Sequence, residues 1–459
     1  MENIRENKMG TQNINSLLLS MAIPMMISML TQALYNIVDT MFVSRLGNDA
    51  LTALSLAFPV QNLMIAIGVG TGVGVNALLS RSLGEKNFAR ANKVASSGVF
   101  LAMASAVVIM LLGIFCVKPY FAFFGASKSI SELGTEYLSI CMIFSVGLFG
   151  QIMYEKLLQS TGKTVHSMIV QLIGAVTNIV LDPILIFGYF GLPAMGVRGA
   201  AIATVAGQII SLCAGIFINR NFNKEISVSA KETMKPEGEI IKRIYSVGLP
   251  SICMASIGSV MTVCMNQIMR IFDGTVPQTG QAVFGIYFKL QSFVFMPVFG
   301  LNNGMVPIVA YNYGAKNKQR IKKTVKLASI YATLIMAVGF LAFQIIPEAL
   351  LRMFDTGEDM KSIIDIGIPM MRFISISFLL AGFCIVAGSV FQALGKGSLS
   401  LIVSVCRQLV VLIPVAFFLA VATHNINYMW LSFPIAEVAS VTLSIIYMKN
   451  IFKKEVDIL

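Results

Sequence analysis

Two aspartates lie inside apolar stretches of the chain, where a charged side chain is costly and is therefore a functional candidate. Asp39 lies in TQALYNIVDTMFVSRLG, and Asp182 lies in GAVTNIVLDPILIFG. Asn178 comes four residues before Asp182, so their side chains share one helix face. Pro183 has no backbone N–H and can leave a carbonyl oxygen free for a ligand. Thr204 lies in a later apolar stretch, GAAIATVAGQ.

These residue types predict a cation site. Two carboxylates, an amide oxygen and a hydroxyl form an all-oxygen set that suits Na⁺. If the carboxylates are close together and shielded from water, they can instead share a proton. From the helix ends predicted below, the groups lie roughly 6–14 Å beneath one membrane boundary. The structural alternative places Asp39 at the lipid headgroups and makes Asp182 a buried, hydrogen-bonded residue.

The second half of the chain carries different charges. Its first two apolar stretches contain no Asp or Glu. Glu437, in FPIAEVAS, and Arg407, in SVCRQLV, are predicted to form a structural pair between neighbouring helices. Arg372 and Lys289, the latter beside Gln291, are the other basic residues within apolar stretches.

Composition indicates which elements hold these residues. Of 459 residues, 56% are hydrophobic and 12% are charged, whereas an average soluble domain is about 25% charged. One soluble core could not cover so much apolar surface, so a lipid bilayer is the predicted environment. A membrane-crossing helix needs roughly 20 apolar residues. Such runs are predicted at 16–43, 50–79, 92–117, 130–155, 165–190, 195–218, 244–271, 280–309, 325–347, 363–391, 398–421 and 427–448.

The basic residues predict orientation rather than nucleic-acid binding. The net charge of +12 is spread over short clusters between apolar runs, so we expect a membrane and no nucleic acid as partner. Alternate loops hold most of the Lys and Arg, including Arg81, Lys86, Lys156 and Lys163. This asymmetry places both termini in the cytoplasm, as an even number of spans also requires. We expect a multi-pass protein of the plasma membrane.

An internal repeat divides the chain. An offset of 230 pairs Gly70 with Gly300 and Gly84 with Gly314, and an offset of 233 pairs Gln159 with Gln392. An offset of 226 pairs Pro24 with Pro250. The predicted fold is all-α and membrane-embedded, with two six-helix lobes at 1–218 and 244–459 and a cytoplasmic linker at 219–243. Because each lobe has an even number of spans, the repeats are parallel, related by a pseudo-two-fold axis along the membrane normal.

These stretches together resemble the multidrug and toxic compound extrusion (MATE) transporter family. The resemblance covers nearly the whole chain. It rests on IPMMISMLTQALYNIVDTMFVSRLG, SRSLGEKNFARANK, LQSTGK, TNIVLDPILIFG and GVRGAAIATVAGQ in the first half, and on GLNNGMVPIVAYNYGAKNKQRI, FQALGKG and WLSFPIAE in the second.

The resemblance implies an antiporter that exports cationic, amphipathic drugs or metabolites in exchange for Na⁺ or H⁺ as two lobes rock. It implies a cation site at Asp39, Asn178, Asp182 and Thr204. The chain departs from branches of the family that carry acidic residues in spans seven and eight. We expect a cavity lined by Tyr35, Asn36, Gln291 and Met296, a functional monomer, and no cofactor besides the coupling ion.

Other functions fit the sequence less well. Flipping of a lipid-linked precursor, which superfamily relatives of similar shape perform, predicts a more basic cavity. A membrane enzyme would need a nucleophile or metal cluster, and the chain has two isolated histidines and no HExxH. A channel would need charged rings or filter loops.

Overall fold

The computed structural model describes residues 7–125, 127–272, 277–353, 360–423 and 425–459, so residues 1–6 of the predicted first lobe lie outside it. Within these ranges, ten helices are long and apolar enough to cross a membrane, and two bent pairs of shorter helices bring the number to twelve. The predicted all-α membrane fold with about twelve spans is confirmed. The first half consists of α1 (Ile14–Ser44), α2 (Asn48–Gly84), α3 (Phe88–Phe115), α4 (Lys128–Ile143 and Val146–Ser160), α5 (Thr164–Phe187) and α6 (Gly196–Phe222). The second half consists of α7 (Gly238–Phe272), α8 (Pro277–Gly314), α9 (Lys318–Ile345), α10 (Met360–Ser375 and Phe378–Ala393), α11 (Gly397–Thr423) and α12 (Ser432–Ile451).

The two bent spans hold equivalent places in the two halves. The pieces of α4 meet at 46° and those of α10 at 51°. A serine lies at each break: Ser145 Oγ donates to the Ala106 carbonyl at 3.3 Å, and Ser377 Oγ donates to the Ile374 carbonyl at 2.7 Å. Ser377 bonds to a carbonyl of its own span and so competes with the helical ladder there, whereas Ser145 bonds across to α3. Serines are common at sharp helix bends.

The two halves contact each other on the side of the membrane where the chain termini lie. α1 packs on α8, and α2 packs on both α7 and α8. Gly300 of α8 lies against Met26 of α1, and Gly74 of α2 lies against Ile244 of α7. All four positions lie in the parts of their helices nearest the side of the termini, so the halves are in contact on that side.

A contact between a glycine and a backbone carbonyl occurs twice between α2 and α8. The glycine belongs to α2 in one contact and to α8 in the other. A Cβ atom on Gly84 would lie 1.9 Å from the Tyr311 carbonyl oxygen, and one on Gly314 would lie 2.1 Å from the Arg81 carbonyl oxygen. The offset that relates Gly84 to Gly314 also relates Arg81 to Tyr311. Only glycine allows the backbones this close, so the repeated residues form a reciprocal contact between the halves.

The segment before α1 bonds to both halves on the same side. Arg320 Nη2 at the start of α9 donates to the carbonyl oxygens of Met9 at 3.0 Å and Gln12 at 2.7 Å. Asn7 Nδ2 donates to the carbonyl oxygen of Thr161, after α4, at 3.2 Å. These bonds hold the two halves together around the chain start.

Three helix ends differ from the predicted apolar runs by four to six residues. α4 ends at Ser160 rather than 155, and Lys156, assigned to a loop from sequence, is a helical residue whose surface is only 6% exposed. The apolar run ends there because Glu155 and Lys156 are charged, but the helix continues through both. Similarly, α6 extends to Phe222 and α7 begins at Gly238, so the segment between them is shorter than the predicted linker.

Candidate functional site

The ends of α1, α5 and α6 opposite the termini bring the four predicted cation-site residues together. Asp39 and Asp182 each lie about 8 Å of helix before the ends of α1 and α5. Thr204 lies about 12 Å after the beginning of α6. Asp182, Asn178 and Thr204 are 0%, 2% and 6% exposed, and Asp39 is half-buried. The sequence places the site at this depth, and packing joins the three helices there.

Close packing of α5 on α6 brings Thr204 to Asn178. A Cβ atom on Gly207 would lie 2.8 Å from the Gly174 carbonyl oxygen, so small residues set the spacing of the helices one turn from the site. In the orientation that satisfies both amide atoms, Asn178 Nδ2 donates to Asp182 Oδ2 at 3.0 Å, and Asn178 Oδ1 accepts the Thr204 backbone N–H at 3.2 Å. In the other orientation Nδ2 lies 3.4 Å from Asp182 Oδ1 and 3.3 Å from Thr204 Oγ1.

The two carboxyl groups lie within hydrogen-bonding reach of each other. Asp39 Oδ1 is enclosed and has no hydrogen-bond partner among the described residues. No Lys or Arg among the described residues interacts with Asp39 or Asp182. Two like charges in contact and out of water are unstable unless a proton or a cation neutralises one of them. The arrangement can therefore hold a proton or a small cation between the carboxyl groups.

Tyr35 lies beside this site. Its hydroxyl is within hydrogen-bonding reach of Thr204 and close to both carboxylates. Tyr35 is predicted from the sequence to line a substrate cavity; it precedes Asp39 by one helical turn and shares its face. Of the other three residues assigned to that cavity, Asn36 is exposed on α1, while Gln291 and Met296 are half-buried on α8 in the second half.

A second group of polar residues, not predicted from the sequence, lies close to Asp39. Gln61 Nε2 of α2 donates to the Tyr137 hydroxyl of α4 at 3.1 Å and lies 3.8 Å from Cys141 Sγ. Asp39 acts electrostatically on both Tyr137 and Cys141. A search for charged residues in spans passes over such neutral groups. Their signal was the pairing of Tyr137 and Cys141 one turn apart on one face.

The second half has an ion pair where the sequence predicted one. Arg407 Nη1 of α11 lies 3.4 Å from Glu437 Oε2 of α12, and Glu437 is 5% exposed. The predicted pairing between neighbouring helices is confirmed. Glu437 Oε1 has no hydrogen-bond partner within the described ranges, and Cys384 of α10 lies beside it.

The described residues form up to twelve spans in two halves that touch at one membrane side. The first half holds a carboxylate pair near the other side, and this is the architecture of a membrane transporter. The MatE family model matches residues 24–184 and 255–418, one range in each half. The chain belongs to this family, the MATE transporters, and is a transporter rather than an enzyme.

Two relatives align over most of the chain. A multidrug export protein, MepA, of Staphylococcus haemolyticus is 28% identical over 400 residues, which are 87% of this chain and 85% of that protein. An FAD transporter of Shewanella oneidensis is 24% identical over 403 residues, 88% of this chain and 87% of that protein.

Solved structures share the fold. A MATE protein in complex with MaL6 matches with a TM-score of 0.91 at 24% identity, over 97% of this chain and 98% of that one. An outward-facing multidrug resistance MATE transporter of the MOP superfamily matches with a TM-score of 0.91 at 24% identity, over 98% of each chain. At this identity the two structures establish the architecture of the chain.

Proposed function

We propose that this transporter is an antiporter that exports cationic, amphipathic organic compounds in exchange for Na⁺ or H⁺ entering the cell. The coupling cation binds in the first half at Asp39, Asn178, Asp182 and Thr204. The observation that supports this most directly is the contact between two carboxyl groups inside the membrane fold, with one buried Asp39 oxygen that has no hydrogen-bond partner in the described part of the chain.

The residues present fit either coupling ion. For Na⁺, the oxygens of the carboxylates, the Asn178 amide and the Thr204 hydroxyl are the ligands, and Pro183 leaves one backbone carbonyl of α5 without its helical donor. For H⁺, one carboxyl group donates to the other. One positive charge moving inward across 100 mV releases about 2.3 kcal/mol, which supports roughly fifty-fold accumulation outside of a substrate without net charge. Exchange for a monovalent organic cation moves no net charge, so its accumulation is driven by the concentration gradient of Na⁺ or H⁺ or by a second coupling cation.

The transport cycle follows from two lobes that move against each other. In this proposal residues 1–218 and 244–459 form the lobes, residues 219–243 join them in the cytoplasm, and both termini are cytoplasmic. The reciprocal contact of Gly84 and Gly314 then closes the cytoplasmic side. Binding of the cation from outside and release of substrate precede the rocking movement, and the monomer is the functional unit.

The proposed substrate class rests on the names of the relatives and on the acidic groups of the first half. MepA is named a multidrug export protein, and the first half offers acidic groups to a cation. The name of the Shewanella protein makes FAD the appropriate anionic comparison. A panel containing ethidium, another lipophilic cation and FAD separates the two substrate classes.

The proposal is tested with purified protein in liposomes loaded with ethidium. Efflux is measured under an imposed Na⁺ gradient and, separately, under an imposed pH gradient. We expect one of the two gradients to drive efflux and Asp39→Asn to abolish the driven component. Asp49→Asn is the matched control because Asp49 is an exposed carboxylate close to the same end of α1. Efflux that is equally fast in Asp39→Asn and wild-type protein would refute the cation-site assignment.

A further inference from the structure

The carboxylate pair lies at one end of a longer row of buried polar residues in the first half. On α5, Asp182, Asn178, Gln171 and Ser167 share one face and are 0%, 2%, 8% and 0% exposed. Between Asp182 and Ser167 this face covers about 22 Å of helix. A buried polar face of that length is costly in a membrane and is unnecessary for helix packing alone.

α1 continues the row beside α5. Ser28, Gln32 and Asp39 lie on one face of α1 at helical spacing. Gln171 Nε2 donates to Gln32 Oε1 at 3.1 Å, and Ser28 Oγ hydrogen-bonds to Gln171 Oε1. The polar contact of α1 with α5 therefore extends from the carboxylate pair at least three turns towards the side of the termini.

α4 completes the row at its inner end. Gln159 Nε2 donates to Ser167 Oγ at 3.0 Å, and Lys156 Nζ donates to Gln159 Oε1 at 2.9 Å. We call the whole set the polar column. It consists of Ser28, Gln32 and Asp39 on α1, Ser167, Gln171, Asn178 and Asp182 on α5, and Lys156 and Gln159 on α4.

Lys156 connects the polar column to the second half. Its ammonium donates to Asn303 Oδ1 of α8 at 3.1 Å. The side chain crosses α2 at Gly72, where a Cβ atom would lie 2.6 Å from Lys156 Cγ. The neighbouring Glu155 accepts from Gln151 Nε2 at 3.0 Å, and the described ion pairs do not include one between Glu155 and Lys156. The ammonium is held at the inner end of the column by neutral amides from both halves, and the adjacent buried carboxyl group of Glu155 attracts it electrostatically.

We propose that the coupling cation moves between the carboxylate pair and the cytoplasm inside the first half, along the polar column, and that Lys156 closes the column at its inner end. A fixed positive charge in a narrow polar path repels another cation. Because Asn303 belongs to the second half, separation of the halves removes one of the two bonds that hold the ammonium in place. Cation release to the cytoplasm is thereby linked to lobe movement, and leak is prevented while the halves are in contact.

This inference rests on the proposed function, since it needs a cation at Asp39 and Asp182. The test uses full-length protein in sealed liposomes without organic substrate, under a membrane potential with a Na⁺ or a proton gradient. The inward leak of Na⁺ or H⁺ is followed with an indicator dye. We expect Lys156→Gln to raise the leak of the coupling cation about tenfold, because it removes the repelling charge. Lys156→Arg keeps the charge and should remain tight.

Lys163→Gln is the matched control, since Lys163 is a half-exposed cation in the turn just after α4. Its leak should equal that of the wild type. If Lys156→Gln does not fold, Asn303→Ala replaces it as the test, because it keeps the lysine and removes one of the two bonds. A raised leak in that variant supports the inference, and an unchanged leak overturns it.

The cation site is checked in the same preparations by heat unfolding with and without Na⁺ or at two pH values. Stabilisation that Asp39→Asn removes shows the site to be intact. If the leak of Lys156→Gln is unchanged while that stabilisation is present, the proposal that Lys156 closes the column is overturned and the cation site is retained. If the wild type shows no such stabilisation, the proposed function fails first.

Discussion

The two halves share their shape and differ in their chemistry. In the first half, Tyr35 and Asp39 of α1 contribute to a polar site. The offset of 226 that pairs Pro24 with Pro250 places Met261 and Met265 at those positions of α7, and these methionines are 7% and 0% exposed. Thioethers fill space in a helix contact without needing hydrogen bonds. α7 therefore has the same place in the second half as α1 has in the first, but it lacks the tyrosine and the aspartate.

α5 and α11 show the same contrast. The buried positions Gly174, Asn178 and Asp182 of α5 follow a four-residue spacing, as do the buried Gln408, Leu412 and Ala416 of α11. A π-helical segment at Cys406–Leu412 interrupts α11, whereas α5 continues through Pro183 as one helix. Buried polar groups cost free energy in a membrane, so the adjacent Asn178 and Asp182 on α5 are functional candidates, whereas α11 has Leu412 and Ala416 at the same spacing.

The largest expected effect tests this contrast directly. Asp182→Asn removes the second carboxylate and should lower cation-driven efflux by about two orders of magnitude, because a neutral amide neither carries the proton nor compensates a cation. Met265→Leu is the matched change in the second half and, since it conserves volume, should alter efflux by less than about twofold. Initial ethidium efflux rates in liposomes, normalised to protein content, measure both. Comparable losses of efflux in the two variants would contradict the proposed chemical difference between the halves.

The reciprocal glycine contact tests the shared shape. Gly84→Ala and Gly314→Ala should each slow transport, by a similar factor of about ten, because a Cβ clash costs about 1–3 kcal/mol and separates the halves. Transport rates are compared with Gly238→Ala, a position where an added Cβ meets nothing within 4 Å. A loss confined to one of the two glycine variants would mean that the two contacts are not equivalent.

The ion pair of the second half should prove structural. Arg407→Met leaves the buried Glu437 carboxylate without its partner and should destabilise the protein by about 1–3 kcal/mol. The double variant Arg407→Met with Glu437→Gln should regain most of that stability, since no unpaired charge remains. Thermal unfolding in detergent measures both variants, and efflux per folded protein should match the wild type. Loss of cation-driven efflux in the stable double variant would instead indicate a second ion site.

The smallest expected effect is a difference in stability between variants of two arginines at equivalent positions of the two halves. Arg320 binds the segment before α1, whereas Arg90, its counterpart at offset 230, pairs with Glu85 at 2.9 Å. Arg320→Ala should lower stability by about 1–2 kcal/mol, through its charge-assisted bonds to backbone carbonyls. Arg90→Ala should cost less than about 1 kcal/mol, as a partly exposed ion pair does. Thermal unfolding of both variants decides, and equal losses would show that the bonds to Met9 and Gln12 add nothing.

The sequence was sufficient for much of the site because each of its signals is local. Asp39 and Asp182 stood out as charges in apolar runs, and the spacing of Asn178 from Asp182 placed it on the same face. Lys156 was misplaced for a related reason: a charged residue ends an apolar run even where the helix continues. The contact of Tyr35 with Thr204 could not be read from the sequence, because periodicity gives the helix face of a residue without giving the helix opposite; its role in a substrate cavity stays a prediction.

The sequence by itself determined the spans, their grouping into two halves, the repeated glycines and the residues that cost energy in a membrane. Only the tertiary structure decided which of these residues meet, as Lys156 and Asn303 do across 147 positions of the chain. The reason is physical. A bilayer requires each helix to satisfy its own backbone bonds and to be apolar, which is readable from local sequence. The rotation and pairing of helices depend on lateral contacts between surfaces that are similarly apolar on every side, and only packing distinguishes them.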